Sequence, residues 1–171
     1  MAMKNNLIKF KNSKEKGFIF IDAIIAIGII SVAFVALLGV GEASIKLSTL
    51  LQKKTGSLML AEEGIEVLRS FRDGTDWSED GLGALSTGSS YYAVLDTGYN
   101  PATWTIVEGE ETTGIFTRKF VIDRVSRSLS TGGIEAIYNP STDDDDTRKV
   151  TVTVEWESNS IQLVTYFTNW R

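Results

Sequence analysis

GFIFIDAIIAIGIISVAFVALLGV, residues 17–40, is the stretch on which the reading of this chain turns. From Phe18 onward it is 23 residues of near-continuous apolar sequence, interrupted only by Asp22, Ser31 and small residues. About 20 apolar residues are enough for a helix to cross the ~30 Å hydrocarbon core of a bilayer. Asp22 stands near the start of that run. Insertion scales put a carboxylate near the centre of a membrane helix at roughly 2.5–3.5 kcal/mol, so an ionisable group there marks function by default.

The rest of the chain sets that run in context. The 171 residues leave room for one domain of ordinary size after an N-terminal segment that no soluble core can absorb. There is no cysteine and no histidine. Disulfides, Cys/His zinc sites, thiol nucleophiles and imidazole acid–base chemistry are therefore excluded. The net charge of −5 is unevenly spread: Lys4, Lys9, Lys11, Lys14 and Lys16 against Glu15 make residues 1–17 basic, and the body beyond them carries −9. An acidic body speaks against nucleic-acid binding, which needs a basic face. A basic leader abutting an apolar run predicts a cytoplasmic N-terminus and an exported body.

Residues 1–17 have no useful apolar period and read as a disordered cytoplasmic leader. A secretory signal has an apolar core of about 7–15 residues and a small-x-small cleavage site. Here the run is longer, and Gly39-Val40-Gly41 is the one weak candidate for such a site.

Lys16-Gly17-Phe18-Ile19-Phe20-Ile21-Asp22 resembles the class III processing signal of type IV prepilins: a short basic leader, a glycine, then phenylalanine and an acidic residue at the fifth mature position. The resemblance implies that a prepilin peptidase of the inner membrane cuts between Gly17 and Phe18 and methylates the new N-terminus. The apolar run then stays with the mature protein. The family usually has glutamate where this chain has Asp22, one methylene shorter.

The physical logic stands beside the resemblance. After such a cut Phe18 carries a positive amine, and Asp22 lies four residues on, on the same helix face. A carboxylate near a helix N-terminus is favoured by the backbone dipole. Opposite charges attract more strongly as the dielectric falls, so among packed helices Asp22 can neutralise an amine. Spacing allows this within one chain or between chains; the resemblance implies the intermolecular pair. A carboxylate snorkelling at the membrane boundary is the alternative.

The helical pattern continues past Val40. Leu47, Leu50, Leu51, Leu58, Ala61, Ile65, Leu68 and Phe71 recur at three- and four-residue steps, predicting an amphipathic continuation. Glu42–Lys46 and Arg69–Asp73 are opposite charges four apart, suited to an exposed face. A helix over about 18–72 would be roughly 80 Å long at 1.5 Å per residue. Its first half is apolar all round and its second half carries one apolar stripe, the pattern of a helix that crosses a membrane and then packs a domain. Gly28, Gly39, Gly41, Gly56 and Gly64 mark points of bending or of close approach. Leu60–Asp73 also resembles the end of the first helix in PilV-like minor pilins. Glu62, Glu63, Glu66, Arg69 and Arg72 there read either as a subunit contact or as a solvated face with ordinary salt links.

Residues 73–90 form a Gly/Ser/Thr/Asp-rich loop, with Trp77 and Leu82 anchoring it to the helix. Short strands are expected at Tyr91–Leu95 and Trp104–Val107, with Pro101 in the turn between them, followed by an acidic turn at Glu108–Gly114. Phe116–Arg127 reads as a strand. Val150, Val152, Val154 and Trp156 alternate with Thr151, Thr153 and Glu155, the period of a half-buried strand. Glu157–Ser160 is a hairpin connection and Ile161–Asn169 the returning strand. The ending Val164–Arg171 resembles the last strand of the PilV-like group.

Asp143–Asp146 is the one metal-like cluster. Calcium takes about 6–8 oxygens, and some pseudopilins of secretion systems bind it near their C-terminal strands, but four consecutive aspartates lack alternating ligand spacing. The run reads as a solvated acidic turn and no metal site is assigned. No spacing singles out a serine nucleophile, and Gly81-Leu82-Gly83 is not a phosphate loop. The chain reads as non-enzymatic and without a cofactor.

Periodicity predicts an α+β fold, one long helix packed on an antiparallel sheet, and the resemblance makes it type IV pilin-like: it implies that residues 1–17 are a cleaved leader, 18–40 a transmembrane and filament-core helix, 41–72 its amphipathic continuation, and 73–171 an extracytoplasmic loop and antiparallel sheet. The resemblance implies a minor pilin of a type IV pilus, processed at Gly17 and Phe18 and assembled through Phe18 and Asp22. Its partners would be the prepilin peptidase, other pilin subunits and the inner membrane, the chain being single-pass before it joins an extracellular pilus or periplasmic pseudopilus. Two alternatives remain: a minor pseudopilin of a type II secretion or competence system, and an extracytoplasmic binding or enzymatic domain on a signal anchor.

Overall fold

The computed structural model describes residues 13–170, with side chains from Phe18 on. One helix, α1 (Ser13–Gly74), precedes six strands: β1 (Ser90–Asp96), β2 (Thr103–Glu108), β3 (Glu111–Thr113), β4 (Phe116–Ser126), β5 (Asp143–Trp156) and β6 (Asn159–Thr168). The fold is α+β, a long N-terminal helix followed by an antiparallel sheet packed against it, the pilin-like arrangement expected above.

α1 begins five residues before the expected boundary at 18 and ends two residues after 72. Residues 1–12 of the expected leader lie outside the described residues. Residues 13–17, expected to be disordered, are helical instead. Extending an existing helix fixes one residue per hydrogen bond gained, and Lys14, Glu15 and Lys16 are good helix formers.

The chain divides into two compact units, one through Thr49 and one from Leu50. In the first, every described side chain is exposed. The second holds the core. Its strands run in the order β2-β1-β4-β5-β6, with β3 on the free part of the β4 edge. All pairings are antiparallel, and the β5–β6 hairpin closes through a two-residue turn at Glu157–Ser158. Glu157 adopts a φ of 52° there, and its carboxylate accepts from Lys53 on α1 at 2.5 Å.

The period-two pattern holds on the inner face of the sheet. Phe120 and Ile122 from β4 and Val150, Val152 and Val154 from β5 are fully buried. They meet Ala61, Leu68 and Phe71 of α1 in a single cluster that also takes in Tyr91, Ala93 and Phe167. Burying each large aliphatic or aromatic side chain contributes about 1.5–3 kcal/mol. Trp77 and Leu82 join the same cluster, so the loop after α1 is anchored where expected; the Trp77 Nε1 also donates to the Asp145 carbonyl at 3.0 Å.

Three expectations are corrected. The expected stripe on α1 splits: Leu47, Leu50, Leu51 and Leu58 are exposed, whereas Ala61, Leu68 and Phe71 are buried as expected, joined by Ser57, Gly64 and Val67. Small residues are needed because the helix comes close to the sheet. A Cβ added at Gly64 would lie 2.9 Å from Phe120 Cε1 and 3.2 Å from Val152 Cγ1. The acidic turn at Glu108–Gly114 contains β3, paired through Glu111↔Arg118 and Thr113↔Phe116. The expected acidic turn at Asp143–Asp146 is the start of β5, seven residues ahead of Val150.

Candidate functional site

Gly17 and Phe18 lie inside α1. Phe18 and Asp22 are separated by one helical turn and share a face. Asp22 is exposed and has no hydrogen bond or ion pair among the described residues. It is also the one charge between Phe18 and Gly41.

The surface around it is apolar. Phe18, Ile19, Phe20, Ile21, Ile24 and Ile25 are all exposed, and the exposed apolar side chains continue to Val40. Monomeric soluble proteins rarely leave a contiguous apolar patch larger than about a few hundred Å² in water. α1 is long and apolar enough to cross a membrane. Its hydroxyls are compatible with that use: Ser31 donates to the Ile27 carbonyl at 2.7 Å, Ser44 to Val40 at 2.9 Å and Thr49 to Ile45 at 3.0 Å. A hydroxyl satisfied by its own helix costs little away from water. The apolar surface does not stop at the membrane-length run, since Ile45, Leu47, Leu50, Leu51, Leu58 and Met59 are exposed as well.

The charged end of the helix is mostly engaged within the chain. Glu42 and Lys46 pair at 2.6 Å as expected. Arg69 holds Glu66 at 2.5 Å, and Arg72 reaches Asp73 at 2.8 Å while lying over the Phe167 ring. Glu63 faces Arg118 at 3.4 Å. Glu62 is exposed.

Two buried arginines were not singled out in the sequence, and both fasten elements together. Arg118 on β4 donates to the Leu60 carbonyl of α1 at 3.0 Å and to Glu111 on β3 at 2.6 Å. Arg148 on β5 donates to the Asp145 carbonyl at 3.1 Å and to the Gly83 carbonyl of the loop at 3.2 Å, beneath Trp77. The signal was present. Counting back by two from Phe120 gives Arg118, and from Val150 gives Arg148, so the same alternation that marks the core puts both on the inner face.

The aspartate run is held by cations. Arg124 reaches Asp143 at 2.8 Å, Arg127 binds Asp144, and Asn169 donates to Asp146 at 3.0 Å. Burial raises the Asp144 carboxyl, but hydrogen bonds from Thr147 and Arg127 outweigh it and hold its pKa below the usual 3.8. Asp143, Asp144 and Asp146 thus each have a different partner. No group of three or more acidic side chains placed to hold a metal occurs among the described residues.

Compared with models of protein families, with curated proteins and with solved structures, the chain finds no match.

Proposed function

We propose that this protein is a structural subunit of a type IV filament, a minor pilin of the PilV-like kind. The observation that carries the reading is the N-terminal surface of α1: a membrane-length run, exposed throughout, with Asp22 as its one charge and a basic leader and a glycine just ahead of Phe18. Such a surface must be covered by lipid or by other apolar helices. The prepilin resemblance names both covers in succession. The leader is cut after Gly17 by the prepilin peptidase, the chain waits in the inner membrane with its N-terminus cytoplasmic, and α1 then passes into a bundle of like helices in an extracellular filament. There Asp22 of one subunit pairs with the Phe18 amine of a neighbour, in surroundings whose low dielectric strengthens the attraction. No catalytic step is assigned; the second unit decorates or caps the filament.

Intact-mass measurement of the membrane-extracted protein, from cells that possess the peptidase, tests this. A mature chain beginning at N-methyl-Phe18 is the expected result. A chain that retains Met1 through Gly17 would overturn the reading in favour of an uncleaved signal anchor carrying a separate domain.

A further inference from the structure

A second site lies on the opposite face of the sheet from the core. The register places Asp123 of β4 beside Lys149 of β5, and Lys149 beside Tyr166 of β6, in one row across three strands. Their neighbours Ile122, Val150 and Phe167 point into the core, so this row points outward. The segment from Arg127 to Asn139 folds back beside the row, and together they border an open cavity of about 450 Å³ lined also by Arg124, Glu135 and Tyr138. That volume falls within the range of about 300–1,000 Å³ common to small-molecule sites.

The wall is built in advance of any ligand. Arg127 and Ile134 form a β-bridge, the Glu135 amide donates to the Ser126 carbonyl at 2.9 Å, and the Asn139 amide donates to the buried Ser126 hydroxyl at 2.9 Å. Arg127 also donates to the Gly132 carbonyl at 3.1 Å. A pocket whose walls are already bonded loses little further freedom on binding.

The lining indicates what fits. Its cations are already matched: Lys149 lies 3.2 Å from Asp123, and Arg124 lies 2.8 Å from Asp143. Neither is left as an unpaired positive charge to capture an anion. Glu135 accepts from the Thr142 hydroxyl at 2.9 Å. Each group nonetheless keeps spare capacity, because an ammonium has three donors, a guanidinium five, and a carboxylate about four acceptor sites. The lining therefore offers both donors and acceptors, and the charges of Asp123, Arg124, Glu135 and Lys149 cancel. Tyr138 and Tyr166, 40% and 46% exposed, add aromatic surface to that polar lining.

A ligand that both donates and accepts at many points, carries no charge, and offers C–H faces to an aromatic ring is a sugar. We propose that this cavity binds a neutral saccharide unit, its hydroxyls spanning the Asp123–Lys149 and Arg124–Glu135 groups and its apolar face against Tyr166. The site is independent of the filament reading, since it lies wholly within residues 87–166.

The test uses the full chain in a zwitterionic detergent without a sugar headgroup. Glucose, galactose, mannose, N-acetylglucosamine and lactose are titrated separately and followed by saturation-transfer NMR. At least one should bind saturably with a Kd of about 1 mM, the affinity of a small polar ligand making a few hydrogen bonds. Tyr166→Ala should weaken it about tenfold with the melting temperature unchanged, whereas Tyr166→Phe, which keeps the ring, should stay within about twofold. Absence of saturable binding by all five sugars up to about 20 mM, twenty times that Kd, would overturn the proposal. So would wild-type affinity in Tyr166→Ala, or displacement of the bound sugar by inorganic phosphate.

Discussion

At the scale of single residues, the aspartate run shows how charge neutralisation changes local structure. Four adjacent carboxylates repel one another and resist strand formation, yet β5 begins among them because Arg124 of β4 and Arg127 just beyond it reach Asp143 and Asp144. Asp144 ties the run to pH. Its folded pKa lies below the ordinary value, so the stability it contributes is fully present above about pH 4 and is lost as pH falls through that lowered pKa. Asp144→Asn should cost about 1–2 kcal/mol at pH 7, since a charged hydrogen bond from Arg127 is lost. It should also flatten the acid limb, so that variant and wild type converge once the pH has fallen through that lowered pKa. Denaturant unfolding across a pH series measures both, and parallel curves for the two proteins would exclude Asp144 as the acid-sensitive group. The buried arginines Arg118 and Arg148 belong to the same scale. They were legible by alternation but not by type, because a guanidinium is expected at the surface unless carbonyls and carboxylates are waiting for it inside.

At the scale of elements, α1 carries two kinds of glycine. Gly28, Gly39 and Gly41 have nothing within 4 Å of an added Cβ, whereas Gly64 sits against Phe120 and Val152 and Gly56 against Phe116. Bending and close approach, the two readings open from sequence, are thus resolved for Gly56 and Gly64 in favour of close approach. Gly→Ala ordinarily gains about 1 kcal/mol in a helix, while overpacking a tight interior costs about 1–3. At Gly64 the steric term should win, because Phe120 is fully buried and has no room to retreat. Gly64→Ala should therefore lower stability by about 1–2 kcal/mol, and Gly41→Ala should not lower it at all. Thermal unfolding of both variants in detergent is the measurement, and equal melting temperatures would remove the close-approach account. The expected apolar stripe held from Ala61 to Phe71 and failed over Leu47–Leu58, where the helix surface is exposed. Hydrophobic periodicity weights leucine over glycine and serine, so it missed Ser57 and Gly64, which are buried beside Ala61, Leu68 and Phe71, and it over-counted the exposed Leu47, Leu50, Leu51 and Leu58.

At the scale of the whole molecule, the apolar surface of the first unit sets the question of function, and Asp22 is the one charge between Phe18 and Gly41. If Asp22 is an assembly charge, Asp22→Ala should leave cleavage at Gly17 intact and lower the amount of protein recovered in sheared filaments about tenfold, the equivalent of about 1.4 kcal/mol of lost pairing. Comparing mature protein in filament and membrane fractions reads this directly, and unchanged recovery would remove the role. The sequence by itself determined the elements that depend on near neighbours in the chain: the membrane-length run and its continuation into one helix, the alternating strands β4 and β5, and the short hairpin into β6. Each is written in a period of two or of three to four residues, and such periods survive without knowledge of the rest of the fold. Only the tertiary structure decided what depends on distant partners. It set the order β2-β1-β4-β5-β6, the start of β5 inside an acidic run neutralised from elsewhere in the chain, and which part of the apolar stripe on α1 is buried. It also aligned Asp123, Lys149 and Tyr166, 43 residues from first to last, into one row beside a folded-back segment. Local periodicity fixes which way a side chain points along its own strand; which strand lies next to it is fixed by the packing of the whole core.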